Sequence, residues 1–220
     1  MASSKLGLSS YLLHTVLMTE ETRQKLKEVK QSFRLIMDGV AAASMRDKGL
    51  NYHLNWGAKI TDLQNMAKEL GKDYPLAIEL WKENVRECRL LALMIMPPEK
   101  MLPEIAELWA ETLQTAEMAE MAPFFLFQYL DYAPSLAFKW LASDDKLRQV
   151  CGFMTLARLF TAGTLPDTRG VNEVVDQAVV ALHDESLPVR KAAMACLNKL
   201  ADAGALYQQA VDSALKKAGF

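Results

Sequence analysis

"ELWKENVRECRLLALMIMP", residues 79 to 97, opens as a charged helical stretch and turns into an unbroken apolar run after Arg89. Arg86, Glu87 and Arg89 therefore sit against a segment whose composition calls for burial. The plan recurs in "WLASDDKLRQVCGFMTLARLF" (140 to 160) and "ALHDESLPVRKAAMACLNKLADAG" (181 to 204). Each copy ends a helix with an aromatic residue or leucine, makes a brief polar turn, and starts a second helix with Val/Leu-Arg followed by small and large apolar residues. The aligned arginines are Arg86, Arg148 and Arg190, 62 and 42 residues apart. Sixty-two is about two units of 31, and the intermediate unit falls at "LQTAEMAEMAPFFLFQYL" (113 to 130), with Glu117 or Met118 in the arginine's place. Helix-turn-helix units at such periods indicate stacked helical repeats, each burying its face against the next. The fold class expected is all-α, an α-α superhelix, with residues 1–220 as a single domain: N-terminal helices over 1–50 and repeats over about 55–218.

Helical periodicity runs through the rest of the chain, and strand alternation appears nowhere. Residues 20 to 46 read as one long amphipathic helix with Leu26, Val29, Phe33, Ile36 and Met37 on one face. Shorter helices follow, bounded by Gly71, Pro75, Pro97-Pro98, Pro134, Gly163 and Gly204. The connections are short, which favours antiparallel neighbours. Only residues 161 to 173, "TAGTLPDTRGVNE", read as a substantial loop, a linker without a phosphate-cradling motif.

Composition sets the surroundings. With 220 residues, 51% hydrophobic and 24% charged, the chain buries a sizeable core. The longest apolar stretch, Leu90 to Met96, is far below the roughly 20 residues that span a bilayer, so no membrane span is expected. The start, "MASSKLGLSSYLLHTVLM", lacks a convincing cleavage site and suits a docking helix rather than a signal peptide. Cys88, Cys151 and Cys196 form no CxxC pair and lie in apolar patterns, which fits a reduced, cytoplasmic setting. Basic residues number 25 against 27 acidic, so there is no global drive toward polyanions; locally, residues 1 to 50 hold 8 basic and 5 acidic groups, residues 51 to 150 hold 10 and 15.

Each recurring arginine has a structural reading, at the turn between repeats and paired with a nearby carboxylate: Asp184 or Glu185 for Arg190, Asp144 or Asp145 for Arg148. The functional reading places them along a concave face.

"NWGAKITDLQNMAKELGKDYPLAIELWKENVRECRLLALMIM" (55 to 96), "KWLASDDKLRQVCGFMTLARLF" (139 to 160) and "LPVRKAAMACLNKLADAG" (187 to 204) together resemble the AlkD-like DNA alkylation repair proteins, the HEAT-like repeat DNA glycosylases. The resemblance covers roughly residues 20 to 218. It implies a curved solenoid that cradles duplex DNA and excises cationic alkylated purines without a base-flipping pocket, aromatics and a carboxylate stabilising the positive charge. The family's catalytic carboxylate falls on Glu120. Its two tryptophans fall on Ala116 and Ala195 and its cleft arginine on Val150, with Arg148 two residues earlier. Three of four cleft groups are thus replaced, and an aromatic wall would have to come from Trp56, Phe124, Phe125 or Tyr129.

Other chemistries find little support. His14, His53 and His183 are scattered, with no HExxH or Cys/His cluster for a metal and no nucleophile elbow. Glu117 and Glu120, three apart on one helical face, form the one candidate carboxylate pair. The methionines read as fillers of inter-helix gaps, with a Met-rich peptide groove as the alternative. The expectation is a DNA alkylation repair-like protein that binds duplex DNA through Trp56, Lys59, Lys146, Arg148 and Lys191, with Glu120 as the catalytic carboxylate, weak excision and no cofactor. The alternatives are a catalytically inactive DNA-binding relative and a HEAT-repeat scaffold for a protein or peptide partner.

Overall fold

The computed structural model describes residues 18–220. The expected N-terminal docking helix and His14 lie outside the described residues. Among the described residues there are twelve α-helices and no strand, the one β-type pairing being a bridge between Leu54 and Val85. The chain divides into two compact units, which meet in sequence at Thr115 and Ala116.

The first unit contains α1 (Glu20–Ser32), α2 (Gly39–Asp47), α3 (Ile60–Leu70), α4 (Tyr74–Lys82), α5 (Arg86–Ile95) and α6 (Pro103–Glu111). The long helix expected over residues 20 to 46 is two helices. The Asp38 carboxylate accepts the Ala41 N–H at 2.9 Å and starts α2 afresh, while the Asp38 N–H leaves the helical ladder for the Trp56 carbonyl at 2.8 Å. Gly57, at φ +75°, allows that approach: a Cβ there would lie 2.0 Å from the Asp38 carbonyl oxygen. Leu26, Val29 and Phe33 are buried as the periodicity requires, whereas Met37, beyond the break, is exposed.

Every residue of α5 is buried, its charges included. The Glu87 carboxylate accepts the N–H groups of Trp56 at 3.1 Å and Ala58 at 3.2 Å. Arg86 donates through Nη1 to the Ala58 carbonyl at 2.9 Å and to Glu87 Oε1 at 3.2 Å. Arg89 lies over the Trp81 ring, 5.3 Å from its centroid, and donates to the Thr112 carbonyl at 2.8 Å. Trp81 in turn stacks on Trp109 with centroids 4.2 Å apart and donates from Nε1 to Thr112 Oγ1. Arg86, Glu87 and Arg89 are therefore part of the core; Arg86 and Glu87 satisfy backbone groups of an irregular segment, residues 54 to 58, that has no ladder of its own, and Arg89 satisfies a carbonyl at the end of α6.

The second unit contains α7 (Ala116–Phe125), α8 (Ala133–Leu141), α9 (Lys146–Thr161), α10 (Thr168–Ala181), α11 (Leu187–Ala201) and α12 (Ala205–Lys217). Central α9 packs on α7, α8 and α11, and α11 packs on α10 and α12. Gly152 lets α8 and α9 close up, since a Cβ there would lie 2.9 Å from the Ala137 carbonyl oxygen. The expected loop over 161 to 173 is shorter, because Asp167 accepts the Gly170 N–H and α10 begins at Thr168. Arg190 donates to the main-chain carbonyls of Asp184 and Glu185 rather than to their carboxylates; the Asp184 carboxylate pairs with Lys146. Asp145 caps α9 by accepting the N–H groups of Leu147 and Arg148.

Cys88, Cys151 and Cys196 are buried as expected. Burial pushes the Cys88 thiol up to about 12 and raises those of Cys151 and Cys196 as well. A neutral, buried thiol is a poor nucleophile. A bulky thiol reagent at neutral pH is therefore expected to leave all three unmodified in the native protein and to react with them in denaturant; stoichiometric native labelling would contradict this packing.

Candidate nucleic-acid interface

Helix α9 buries Val150, Cys151, Phe153, Leu156, Ala157, Leu159 and Phe160, so its half-exposed residues Leu147, Met154 and Arg158 recur at i, i+7 and i+11 along one edge. Lys191, Met194, Ala195 and Asn198 form the corresponding stripe on α11, and Glu117, Glu120, Met121 and Phe124 that on α7. One ring contact and one longer-range electrostatic interaction link these stripes across the second unit. The Arg158 guanidinium lies 4.6 Å from the Phe124 ring centroid, and the Lys191 ammonium acts electrostatically on the Glu120 carboxyl.

The face combines two carboxylates, an aromatic edge and two cations. Partial burial raises the Glu120 pKa above the ordinary glutamate range, Lys191 opposes the rise and Glu117 adds to it. Phe124 also meets Phe125 edge to face, with centroids 4.8 Å apart. Arg158 Nε is buried and has no acceptor among the described residues, which leaves a donor beside the exposed Phe124 ring.

The residues singled out from the sequence divide between the units. Glu120 and Lys191 belong to this face. Lys146 is exposed at the start of α9 and tied to Asp184; Arg148 is half-buried within the first turn of the same helix. Trp56 and Lys59 lie in the first unit, Trp56 half-buried with its N–H on Glu87, Lys59 exposed at the N-cap of α3. Val150 is fully buried, so the position matched to the family's arginine faces the core, whereas Ala116 and Ala195, matched to the tryptophans, are half-exposed. Sequence reasoning missed Arg158. Its one visible signal was a cation interrupting the apolar run "MTLARLF" in phase with Leu147 and Met154.

A family model described as "DNA alkylation repair enzyme" matches residues 29–219. A solved structure is similar to 88% of this chain over 83% of its own, with a TM-score of 0.79 and 17% identity; it is described as "A new family of proteins related to the HEAT-like repeat DNA glycosylases with affinity for branched DNA structures". That likeness identifies the fold as HEAT-like helical repeats. No curated protein matches the chain.

Proposed function

The chain belongs to the DNA alkylation repair enzyme family, and from that membership we propose that it binds duplex DNA on the α7–α9–α11 face, with slow N-glycosylase chemistry on cationic alkylated purines. The observation that carries this reading is the linking of Glu120 with Lys191 and of Phe124 with Arg158 across the second unit. Lys191 and Arg158 would meet phosphates, with Arg148 and Lys146 at the α9 end; Lys146 has to exchange its Asp184 partner for one. Lys59, which belongs to the first unit, is a candidate phosphate contact to be tested separately. The affinity of the similar structure for branched DNA adds a forked duplex as a second ligand to test.

In the excision step the N-glycosidic bond breaks, its electron pair goes to the cationic base, which leaves neutral, and water adds to the sugar carbon and gives up a proton to solvent. Ionised Glu120 stabilises the oxocarbenium character that develops on the sugar. Alanines at 116 and 195 withhold the electron-rich faces that the family places beside the lesion. Each such face contributes roughly 0.5 to 2 kcal/mol, or about two- to thirtyfold in rate, so slow release is expected.

Binding is tested by titrating duplex and forked DNA at several salt concentrations. Each neutralised phosphate should add about −0.9 to the slope of log affinity against log salt, and Lys191→Glu should weaken binding. No affinity at low salt would remove the DNA reading and leave a protein partner.

Chemistry is tested by single-turnover release of 7-methylguanine and 3-methyladenine. Because the ionised form acts and its pKa is raised, the acid limb of the rate profile should lie above the ordinary glutamate range. Lys191→Met should move that limb to still higher pH, and Glu120→Gln should abolish release. Rapid release by Glu120→Gln would refute the assigned role.

A further inference from the structure

The first unit holds a cleft of about 370 Å³ that the α7–α9–α11 face does not use. Its floor is apolar, formed by Leu26, Phe33 and Val85, and Trp56 lines it. Trp56 is also the only half-exposed tryptophan of the four, Trp81, Trp109 and Trp140 being buried.

The rim is cationic. Arg23, Lys27, Lys30 and Arg34 line the cleft at i, i+4, i+7 and i+11, so they stand in one row along α1 and its 3-10 extension. At 1.5 Å per residue the row is about 16 Å long, enough to follow several phosphates of a strand. Glu20 pairs with Arg23 and Glu83 with Lys30. Among the described residues no carboxylate pairs with Lys27 or Arg34. A planar apolar surface below a row of cations is complementary to a base joined to a phosphate chain, and it lacks the groove-width constraint that a duplex would need to satisfy.

We infer that this cleft binds an unpaired nucleic-acid strand, a base lying against Trp56 and the flanking phosphates against Lys27 and Arg34. The inference rests on the nucleic-acid-binding reading above but assigns the unpaired strand to a different unit.

The experiment uses intrinsic fluorescence of the full chain, in which Trp56 is the accessible tryptophan, titrated with a short thymidine oligomer. Saturable quenching is expected, with a salt slope that falls by about 1.4 in Lys27→Glu/Arg34→Glu, at about 0.7 per phosphate of a single strand. Trp56→Leu should weaken oligomer binding, measured by anisotropy of a labelled strand, about five- to 150-fold. Both charge reversals are at exposed positions, so an unchanged circular dichroism melt will show that the fold is kept.

A parallel titration with Lys191→Glu/Arg158→Gln separates the two readings. Oligomer binding that survives in this variant and is lost in Lys27→Glu/Arg34→Glu supports the cleft, whatever happens to duplex affinity. No quenching at low salt would overturn the proposal, as would oligomer binding lost only in the second-unit variant. A mononucleotide that bound as tightly as the oligomer would overturn the strand assignment.

Discussion

Glu87→Ala is expected to destabilise the protein by about 3–5 kcal/mol, the range for removing one partner of a buried charge pair. The side chain is fully buried and holds two main-chain N–H groups and the Arg86 guanidinium. Its removal leaves the N–H groups of Trp56 and Ala58 without their acceptor and takes a carboxylate away from a cation that is itself 1% exposed. Glu87→Gln keeps one acceptor oxygen and the shape of the group, so it should lose less. Urea unfolding followed by circular dichroism measures both variants. A loss below about 1 kcal/mol for Glu87→Ala, the net value of an ordinary hydrogen bond, would show that the 54–58 segment does not depend on this carboxylate.

Trp109→Ala is expected to have an effect of similar size, about 3–5 kcal/mol for a large aromatic truncated in a packed core. Trp109 has no exposed surface and lies nearly parallel to Trp81, 4° between the planes. Truncation removes the ring stacked on Trp81, which also carries the Arg89 guanidinium 5.3 Å from its centroid. Trp109 Nε1 has no acceptor among the described residues, so Trp109→Phe forfeits no hydrogen bond and should retain most of the stability. If the phenylalanine variant proved as unstable as the alanine one in the same urea assay, stacking and volume would not be what Trp109 contributes.

The helical repeats were legible because their signal is periodic: Arg86, Arg148 and Arg190 all fall within the first turns of α5, α9 and α11, and the boundary glycines and prolines mark helix ends. The break between α1 and α2 was not, since the residues that cause it are distant. Asp38 exchanges a helical bond for the Trp56 carbonyl, and Gly57 makes room for it. The same limit applied at the candidate site. Glu120 was reachable by matching a motif and Lys191 as a local cation, whereas the pairing of Phe124 with Arg158 joins two helices, and no spacing within either helix announces it. Charge pairing at the turns was legible in kind but not in partner: Asp184 is six residues from Arg190, yet its carboxylate goes to Lys146, 38 residues away.

The ties from α5 to residues 56 and 58 reach back 28 to 31 positions along the chain. A stack of similar repeats faces a hazard of register, because one apolar helix face fits its neighbours nearly as well when slipped by a turn. Slipping α5 would still bury leucine against leucine, but it would carry Arg86 and Glu87 away from the N–H and carbonyl groups that neutralise them and strand two charges in an apolar layer. The pair adds little over an apolar substitute in the correct arrangement and penalises the incorrect ones heavily. It thereby gives one helix in a repetitive chain a unique address.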